Sequence, residues 1–279
     1  MGVHSGRFGA VNGISTVRNW SITDDMTNPA YKASNTAAGT GRISGIESWS
    51  GSFGIYGAIP PVMPGEIFTF AGYSAPDDDA VGSDGTTAEG SAIVDSLAIN
   101  FNFQTGDIIS QVINFSGHLG LTWTDADDVL TDSSAPDVPP ICGCKVDYSS
   151  NGSDFSTLSD ILQATLTITA ANQAYVNSST GCTTGRKPGP IDWTAAITRQ
   201  STAKTLTKGA DYVWRFYTDS NSYYQMKWGK VKNFSNFNVD IESGKIVDHV
   251  INLEMNGFVG GTTGTITVPD AGSAWWPFT

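Results

Sequence analysis

Short runs of alternating apolar and polar residues recur along this chain. Residues 99–103 and 108–115 each alternate in this way, with Thr105-Gly106 between them. A period of two residues is typical of a half-buried strand, and a glycine adopts the positive φ that a tight hairpin turn needs. The sequence therefore predicts an antiparallel hairpin here and a second one around Ser243-Gly244. Similar alternating runs lie at residues 17–22, 49–55 and 68–70.

Helical patterns are short by comparison. Residues 158–164 and 192–197 are each compatible with one or two helical turns, and no long apolar stripe at helical spacing is present. We therefore predict an all-β chain with room for one short helix in each of two related units.

A self-comparison of the sequence indicates an internal duplication. The segment 31–53 aligns with 175–197 without a gap, and further along the segment 100–114 aligns with 238–252 at a slightly smaller offset. A repeated unit of this size is typical of tandem related domains. The identities in the first alignment are Tyr31/Tyr175, Ser34/Ser178, Thr36/Thr180, Thr40/Thr184, Gly41/Gly185, Arg42/Arg186, Gly45/Gly189 and Trp49/Trp193.

The duplication predicts a domain organisation. We place a first β-domain with an N-terminal arm at 1–122, a linker rich in Pro, Asp and Ser at 123–159, a second β-domain at 160–262 and an aromatic tail at 263–279. Free sheet edges promote aggregation unless they are covered, and pairing with neighbouring subunits in a closed ring covers them. We therefore expect the chain to form oligomers.

The charge of the chain is strongly asymmetric. The formal net charge is −12, and residues 1–144 hold four cations and sixteen anions while 145–279 hold eleven of each. This excess of acid argues against a broad nucleic-acid-binding surface. Part of it lies in a predicted loop at 74–91, whose acidic residues are Asp77, Asp78, Asp79, Asp84 and Glu89.

No catalytic or metal-binding pattern is found in the sequence. Residues 41–45 have the wrong spacing for a nucleophile elbow, and the acidic loop does not match a twelve-residue calcium loop. The three cysteines are predicted to be free thiols, since their number is odd and no histidine lies at ligand spacing. We predict no enzymatic activity, cofactor or metal. The sequence has no apolar run long enough to span a bilayer and no secretion signal, so we expect a cytosolic origin.

Four aromatic and two basic residues are candidate contact residues. Trp49 and Trp193 occupy matched positions, each seven residues after a matched arginine, Arg42 or Arg186, which can stack on a ring or pair with an acid. Equivalent residues in both copies indicate a structural or subunit-contact role. The C-terminal pair Trp275-Trp276 can bind sugar, dock on another subunit or fold back on its own domain.

Several segments of the first copy resemble the tail-tube proteins of bacteriophages. They are VRNWSIT at 17–23, GIESWSGSF at 45–53, PGEIFTF at 64–70 and the hairpin at 99–117. The resemblance extends over nearly all of the first copy and is weaker in the second.

The resemblance implies a virion protein, assembled in the bacterial cytoplasm. Each of its two domains would be a β-sandwich or half-barrel, and these β-units would join into a β-barrel ring. Family members usually carry one unit and form six-membered rings, so a chain with two units implies a homotrimeric, pseudo-sixfold ring. Stacked rings would form a hollow tube through which DNA passes without specific binding. Tape-measure, terminator and distal tail proteins would be partners, with no membrane involved. The acidic loop would line the lumen or contact a stacked ring.

Two other protein classes fit the same composition. A capsid decoration protein is also acidic, rich in β-structure and trimeric, and its assembly would stop at the trimer. A carbohydrate-binding β-module is favoured by exposed aromatic residues, for which Tyr223-Tyr224 and the C-terminal tryptophans are the candidates.

Overall fold

A computed structural model describes most of the chain. The described residues are 17–33, 39–57, 60, 62–74, 85–105, 108–126, 144–201, 205–238, 248–259, 262–263 and 266–267. All regular secondary structure in these residues is β-strand. The prediction of an all-β fold is therefore confirmed.

The strands fall into a first half before residue 127 and a second half after residue 143. The first half contains β1 (Val17–Met26), β2 (Ala30–Tyr31), β3 (Gly41–Arg42), β4 (Glu47–Tyr56), β5 (Ile67–Ser74), β6 (Gly85–Asn102) and β7 (Ser110–Ala126). The second half contains β8 (Val146–Ser149), β9 (Ser156–Thr157), β10 (Ile161–Ala170), β11 (Gln173–Tyr175), β12 (Gly185–Lys187), β13 (Ile191–Gln200), β14 (Asp211–Tyr217), β15 (Tyr223–Asn238), β16 (Asp248–Met255), β17 (Phe258–Val259), β18 (Thr262–Thr263) and β19 (Ile266–Thr267).

Thirteen of these strands form one antiparallel sheet that extends through both halves. Its order is β1-β4-β7-β6-β10-β13-β16-β15-β14-β8-β9, with β5 paired to β6 and β19 paired to β15. The remaining strands form three two-stranded sheets, β2-β3, β11-β12 and β17-β18. Strand pairing between β6 and β10 joins the two halves.

The predicted hairpins are present as antiparallel pairs. In the first half Asn100 lies opposite Ser110 in β6 and β7, and in the second half Asn238 lies opposite Asp248 in β15 and β16. The turn glycines assigned from the sequence, Gly106 and Gly244, lie outside the described residues.

Both predictions of a helix are wrong. Residues 192–197 lie within β13, and 161–164 are the start of β10. In β13 the side chains of Trp193, Ala195 and Ile197 are all buried, so the burial period is two rather than three or four. The predicted linker at 123–159 is also partly strand, since β7 continues to residue 126 and β8 and β9 join the sheet.

A tight turn precedes the aromatic strand of each half. Gly65 has φ of +88° before β5, and Gly209 has φ of +82° before β14. These two glycines are separated by the same offset as Trp49 and Trp193. The left-handed conformation favours glycine because it has no Cβ. The matched glycines of the two copies therefore form turns of the same kind.

One apolar cluster forms the core of both halves. Phe101 of the first half lies 6.3 Å from Phe216 of the second, measured between ring centroids. The fully buried Tyr224 donates its hydroxyl to Gln111 Oε1 at 2.9 Å, again between halves. The two halves therefore share a single core.

The face of the sheet opposite the core carries small polar side chains. Ser, Thr and Asn residues on neighbouring strands are hydrogen-bonded across this polar face. The pairs are Ser21 with Ser52 (3.0 Å), Asn114 with Ser96 (2.9 Å), Thr165 with Asn100 (3.3 Å) and Asn252 with Ser235 (2.9 Å). The sheet therefore has one apolar face and one polar face along its length.

Candidate subunit interface

The contact between the halves is an edge-to-edge strand pairing. Residues 96–102 of β6 pair antiparallel with 163–169 of β10, with Leu97 opposite Ile168. At one end of this pairing, Asn172 Nδ2 donates to Val94 O at 2.9 Å and to Asp95 Oδ1 at 2.8 Å. The backbone ladder and these side-chain bonds fix the position of one half relative to the other.

The two halves have the same strand order. The first half reads β1-β4-β7-β6-β5 and the second reads β10-β13-β16-β15-β14. Their registers also correspond at the offset of the first sequence alignment, since Trp20 lies opposite Phe53 and Ala164 lies opposite Ile197. Strands β1 and β10 each have an irregularity between their first and third residues, after Val17 and after Ile161.

Among the edges that have no strand partner in the described residues, those of β1 and of the end of β15 bear on association. Strand β1 pairs with β4 on one side and with no other strand of the described residues. In β15, residues 234–238 pair with β16 and with no other described strand, although the corresponding part of β6 pairs with β10. Open edges have free backbone donors and acceptors, which can pair with another chain.

A second contact between the halves is made by the segment around β11 and β12, which we call the second arm (173–187). Glu47 N donates to Cys182 O at 2.8 Å, and Thr184 N donates to Glu47 O at 3.1 Å. Leu119 N donates to Thr184 O at 2.8 Å. The second arm therefore extends the sheet of the first half at β4 and β7 by backbone hydrogen bonds.

Both predicted tryptophans are core residues, but their polar atoms differ. Trp49 is 3% exposed and donates from Nε1 to Leu119 O at 3.0 Å, next to the docked second arm. Trp193 is 1% exposed, packs against Gly229 and Trp214, and its Nε1 has no hydrogen-bond partner among the described residues. Equivalent side chains in the two halves thus have different hydrogen-bonding states.

The predicted arginines do not stack on the tryptophans within the described residues. Arg42 is exposed, and its Nη1 donates to Asn28 O at 3.4 Å. Arg186 lies in the second arm, where its backbone N–H donates to His118 Nδ1 at 2.9 Å. Of the two, Arg186 therefore takes part in the contact between the halves.

Most of the other predicted contact residues lie outside the described residues. These are Asp77, Asp78, Asp79, Asp84, Trp275 and Trp276. Glu89 is described and does not lie in a loop: it is an exposed residue of β6, opposite Ala71 of β5 and Thr122 of β7. The predicted loop at 74–91 is shorter than expected because β6 begins at Gly85, with strand partners on both sides.

Two buried polar groups lie close to the open edge of β15. His249 is 3% exposed, and its ring centroid lies 6.2 Å from that of Phe234 in β15. Burial lowers the pKa of His249, and the positive charge of Arg199, opposite it in β13, lowers it further. Arg199 is itself buried and donates from Nε to Ser159 O at 2.7 Å. The side chain of His249 lies on the buried face of β16, together with those of Ile251 and Leu253.

The sugar-binding alternative has little support from the described aromatic residues. Tyr224 is fully buried and burial raises its pKa well above the usual range, while Tyr223 packs against Tyr217 with ring centroids 4.8 Å apart. A depression of about 400 Å³ lies on the polar face. Its lining has no aromatic side chain and includes Thr165, Thr194, Lys232 and Glu254.

The backbone contacts of the second arm were not predicted from the sequence. Thr184 matches Thr40 in the alignment, and that match was a signal of a shared local structure. Glu47 and Leu119 have no such signal, because they contribute backbone atoms that any residue possesses. No group of three or more His, Cys, Asp or Glu in the described ranges is placed to hold a metal ion.

No protein family and no curated protein sequence matches this chain. No helix in the part of the chain described by the structure is long and apolar enough to cross a membrane.

Proposed function

We propose that the chain is a bacteriophage tail-tube subunit that carries two copies of one β-unit. One observation carries the proposal. Strand β10 is the first strand of the second half, as β1 is the first strand of the first half, and it also pairs with β6 and so extends the sheet of the first half. The contact between the two units is therefore one that further units can repeat. Six units from three chains close a pseudo-sixfold ring, as the family resemblance implies.

The same contact predicts how two chains pair. If β1 of one copy joins β15 of the next as β10 joins β6, the matched strand registers of the two halves fix the pairing. Ala98 opposite Thr167 within the chain then corresponds to Ser235 of one copy opposite Thr23 of another. Both residues lie on edges that have no strand partner in the described residues. Pairing of this kind covers both open edges at once.

The polar face of the sheet suits the wall of a DNA conduit. Its Ser, Thr and Asn side chains are neutral, and its Lys232 Nζ lies 2.9 Å from Glu254 Oε2 in an ion pair. Proteins hold DNA chiefly through lysine and arginine contacts with phosphate, so a neutral or acidic wall lets a duplex pass. In the same tube the acidic loop would line the lumen or contact a stacked ring. Tape-measure, terminator and distal tail proteins would be the partners of the tube.

Negative-stain electron microscopy combined with light scattering tests the proposal. We expect rings or tubes whose repeating unit has the mass of three chains, each of 29.5 kDa. Rings with the mass of six chains would keep the tube and contradict two ring units per chain. Trimers that never stack would favour a capsid decoration protein. A chain that stays monomeric over a wide concentration range would overturn the proposal.

A further inference from the structure

The second arm has a counterpart in the first half that is not docked in the same way. This counterpart, the first arm, consists of β2, β3 and the adjoining residues 39–40. Tyr31 lies opposite Gly41 in the first arm, as Tyr175 lies opposite Gly185 in the second. A Cβ built on either glycine would lie 2.5 Å from Cζ of that tyrosine, so the ring covers the glycine in both arms. The two arms therefore share their local structure.

The first arm exposes apolar side chains. Tyr31 is 43% exposed and Ile43 is 56% exposed, and Ile46 near the start of β4 is 38% exposed. The backbone of the first arm is hydrogen-bonded to the segment before it, with Ile43 N donating to Pro29 O at 3.2 Å. None of the described contacts ties this arm to the second half.

The site that would receive the first arm follows from the sequence offsets. The second arm docks on Glu47 and Leu119, which correspond to Ile191 and Gly257 in the second half. Like Glu47, Ile191 begins its strand and pairs on one side only, with Ala170. Gly257 is exposed, and a Cβ built on it would meet no atom of the described residues within 4 Å. Among the described residues, Gly257 is therefore uncovered on the side where an arm would dock.

A buried donor in the second half distinguishes this site from its docked counterpart. In the first half Trp49 Nε1 donates to Leu119 O, and Leu119 N in turn donates to Thr184 O of the second arm. In the second half Trp193 Nε1 is buried and has no acceptor among the described residues. The residue that corresponds to Leu119 is Gly257, but the ring of Trp193 is placed differently from that of Trp49, because Met255 stands where Gly117 leaves room for the indole of Trp49.

We infer that the first arm of one copy docks on Ile191 and Gly257 of another copy, as the second arm docks on the first half within the chain. Thr40 N would donate to Ile191 O, and Gly257 N would donate to Thr40 O. The partner is a second chain because the first arm and its docking site lie in different parts of the same sheet. The first arm follows β1, at one end of the strand order, whereas β13 and β16 lie beyond the pairing of β6 with β10. The inference rests on the self-association proposed above and adds its contact residues.

Disulfide trapping tests this docking. In a chain whose cysteines are replaced by serine, Thr40→Cys and Gly257→Cys are combined and the protein is oxidised. Hydrogen-bonded backbone neighbours place their Cα atoms within the range that a disulfide spans. We expect covalent dimers and trimers on non-reducing gels. Either substitution alone should give no trimer. The matched control, Leu119→Cys with Thr184→Cys, should form a disulfide within one chain.

The outcomes separate this inference from the proposed function. Light scattering of the reduced variant reports assembly independently of the disulfide. Trimers or larger assemblies that give no covalent product, while the control oxidises, would overturn the arm contact and leave the tail-tube proposal standing. A disulfide formed between Thr40→Cys and Gly257→Cys within a single chain would also overturn it. A chain that remains monomeric would contradict both.

Discussion

The two buried tryptophans provide a matched test of the packing and hydrogen bonding inferred for the halves. Replacing either ring with phenylalanine removes the same volume and the same indole N–H from a site that is 3% exposed for Trp49 and 1% for Trp193. The loss of packing is therefore similar. The N–H groups differ, since Trp49 donates to Leu119 O and Trp193 has no acceptor in the described residues.

The difference between the two variants can be estimated from these hydrogen bonds. Trp49→Phe loses a bond worth about 0.5–1.5 kcal/mol, whereas Trp193→Phe removes an unpaired buried donor that costs about 1–3 kcal/mol. We therefore expect Trp49→Phe to be more destabilising than Trp193→Phe by about 1.5–4.5 kcal/mol.

Urea unfolding followed by far-ultraviolet circular dichroism measures this difference. The protein is held at a concentration where light scattering shows monomers, so that association does not contribute to the measured free energy of unfolding. An equal loss of free energy of unfolding in the two variants, or a larger loss for Trp193→Phe, would refute the reasoning.

Three further predictions concern single residues. Burial lowers the pKa of His249 below its usual 6.5, so the unfolded chain binds more protons than the folded one. The free energy of unfolding should therefore fall as the pH drops through 6.5. Urea unfolding at several pH values should show a smaller fall in the free energy of unfolding for His249→Gln. Gly229→Ala should cost about 1–3 kcal/mol because its Cβ would meet Trp rings, whereas Gly257→Ala, which meets nothing within 4 Å, should leave the melting temperature nearly unchanged. Tyr224→Phe should cost about 1 kcal/mol in urea unfolding, since it removes the buried bond to Gln111. Equal melting temperatures for the two glycine variants would contradict the packing, and an unaltered pH dependence in His249→Gln would exclude the histidine as its cause.

Much of the fold followed from local patterns in the sequence. Alternation at 49–55 and 99–103 predicted β4 and the end of β6, because the side chains of a half-buried strand point alternately to core and solvent. The start of β6 was missed: residues 85–91 are small and polar, so the sequence shows no alternation although strands flank them on both sides. In β10 the first residues are compatible with helical turns when taken alone. The alternation typical of a strand becomes visible only with Leu166, Ile168 and Ala170, which follow them.

The candidate interface was less predictable than the fold. The alignment identified Trp49 and Trp193 as equivalent, and both are buried, but it gave no indication that only one has an acceptor among the described residues. The ring of Trp49 lies against Gly117, whose counterpart in the second half is Met255, and the sequence does not show that this exchange leaves one indole N–H without an acceptor. The edge contact of β6 with β10 was hidden as well, because any extended segment with free N–H and C=O groups can form a ladder.

The asymmetry between the two arms bears on how assembly would be controlled. An open sheet edge can pair in any register that its side chains tolerate, so β1 alone would leave association poorly specified. Within the chain the second arm adds three backbone hydrogen bonds at Glu47 and Leu119, remote from the β6 and β10 ladder, and a shifted register would break them. If the first arm makes the same bonds to Ile191 and Gly257 of another copy, only one register satisfies both contacts. The arm would then select the ring over irregular aggregates, and deleting its contact should affect the uniformity of assembly more than the stability of the monomer.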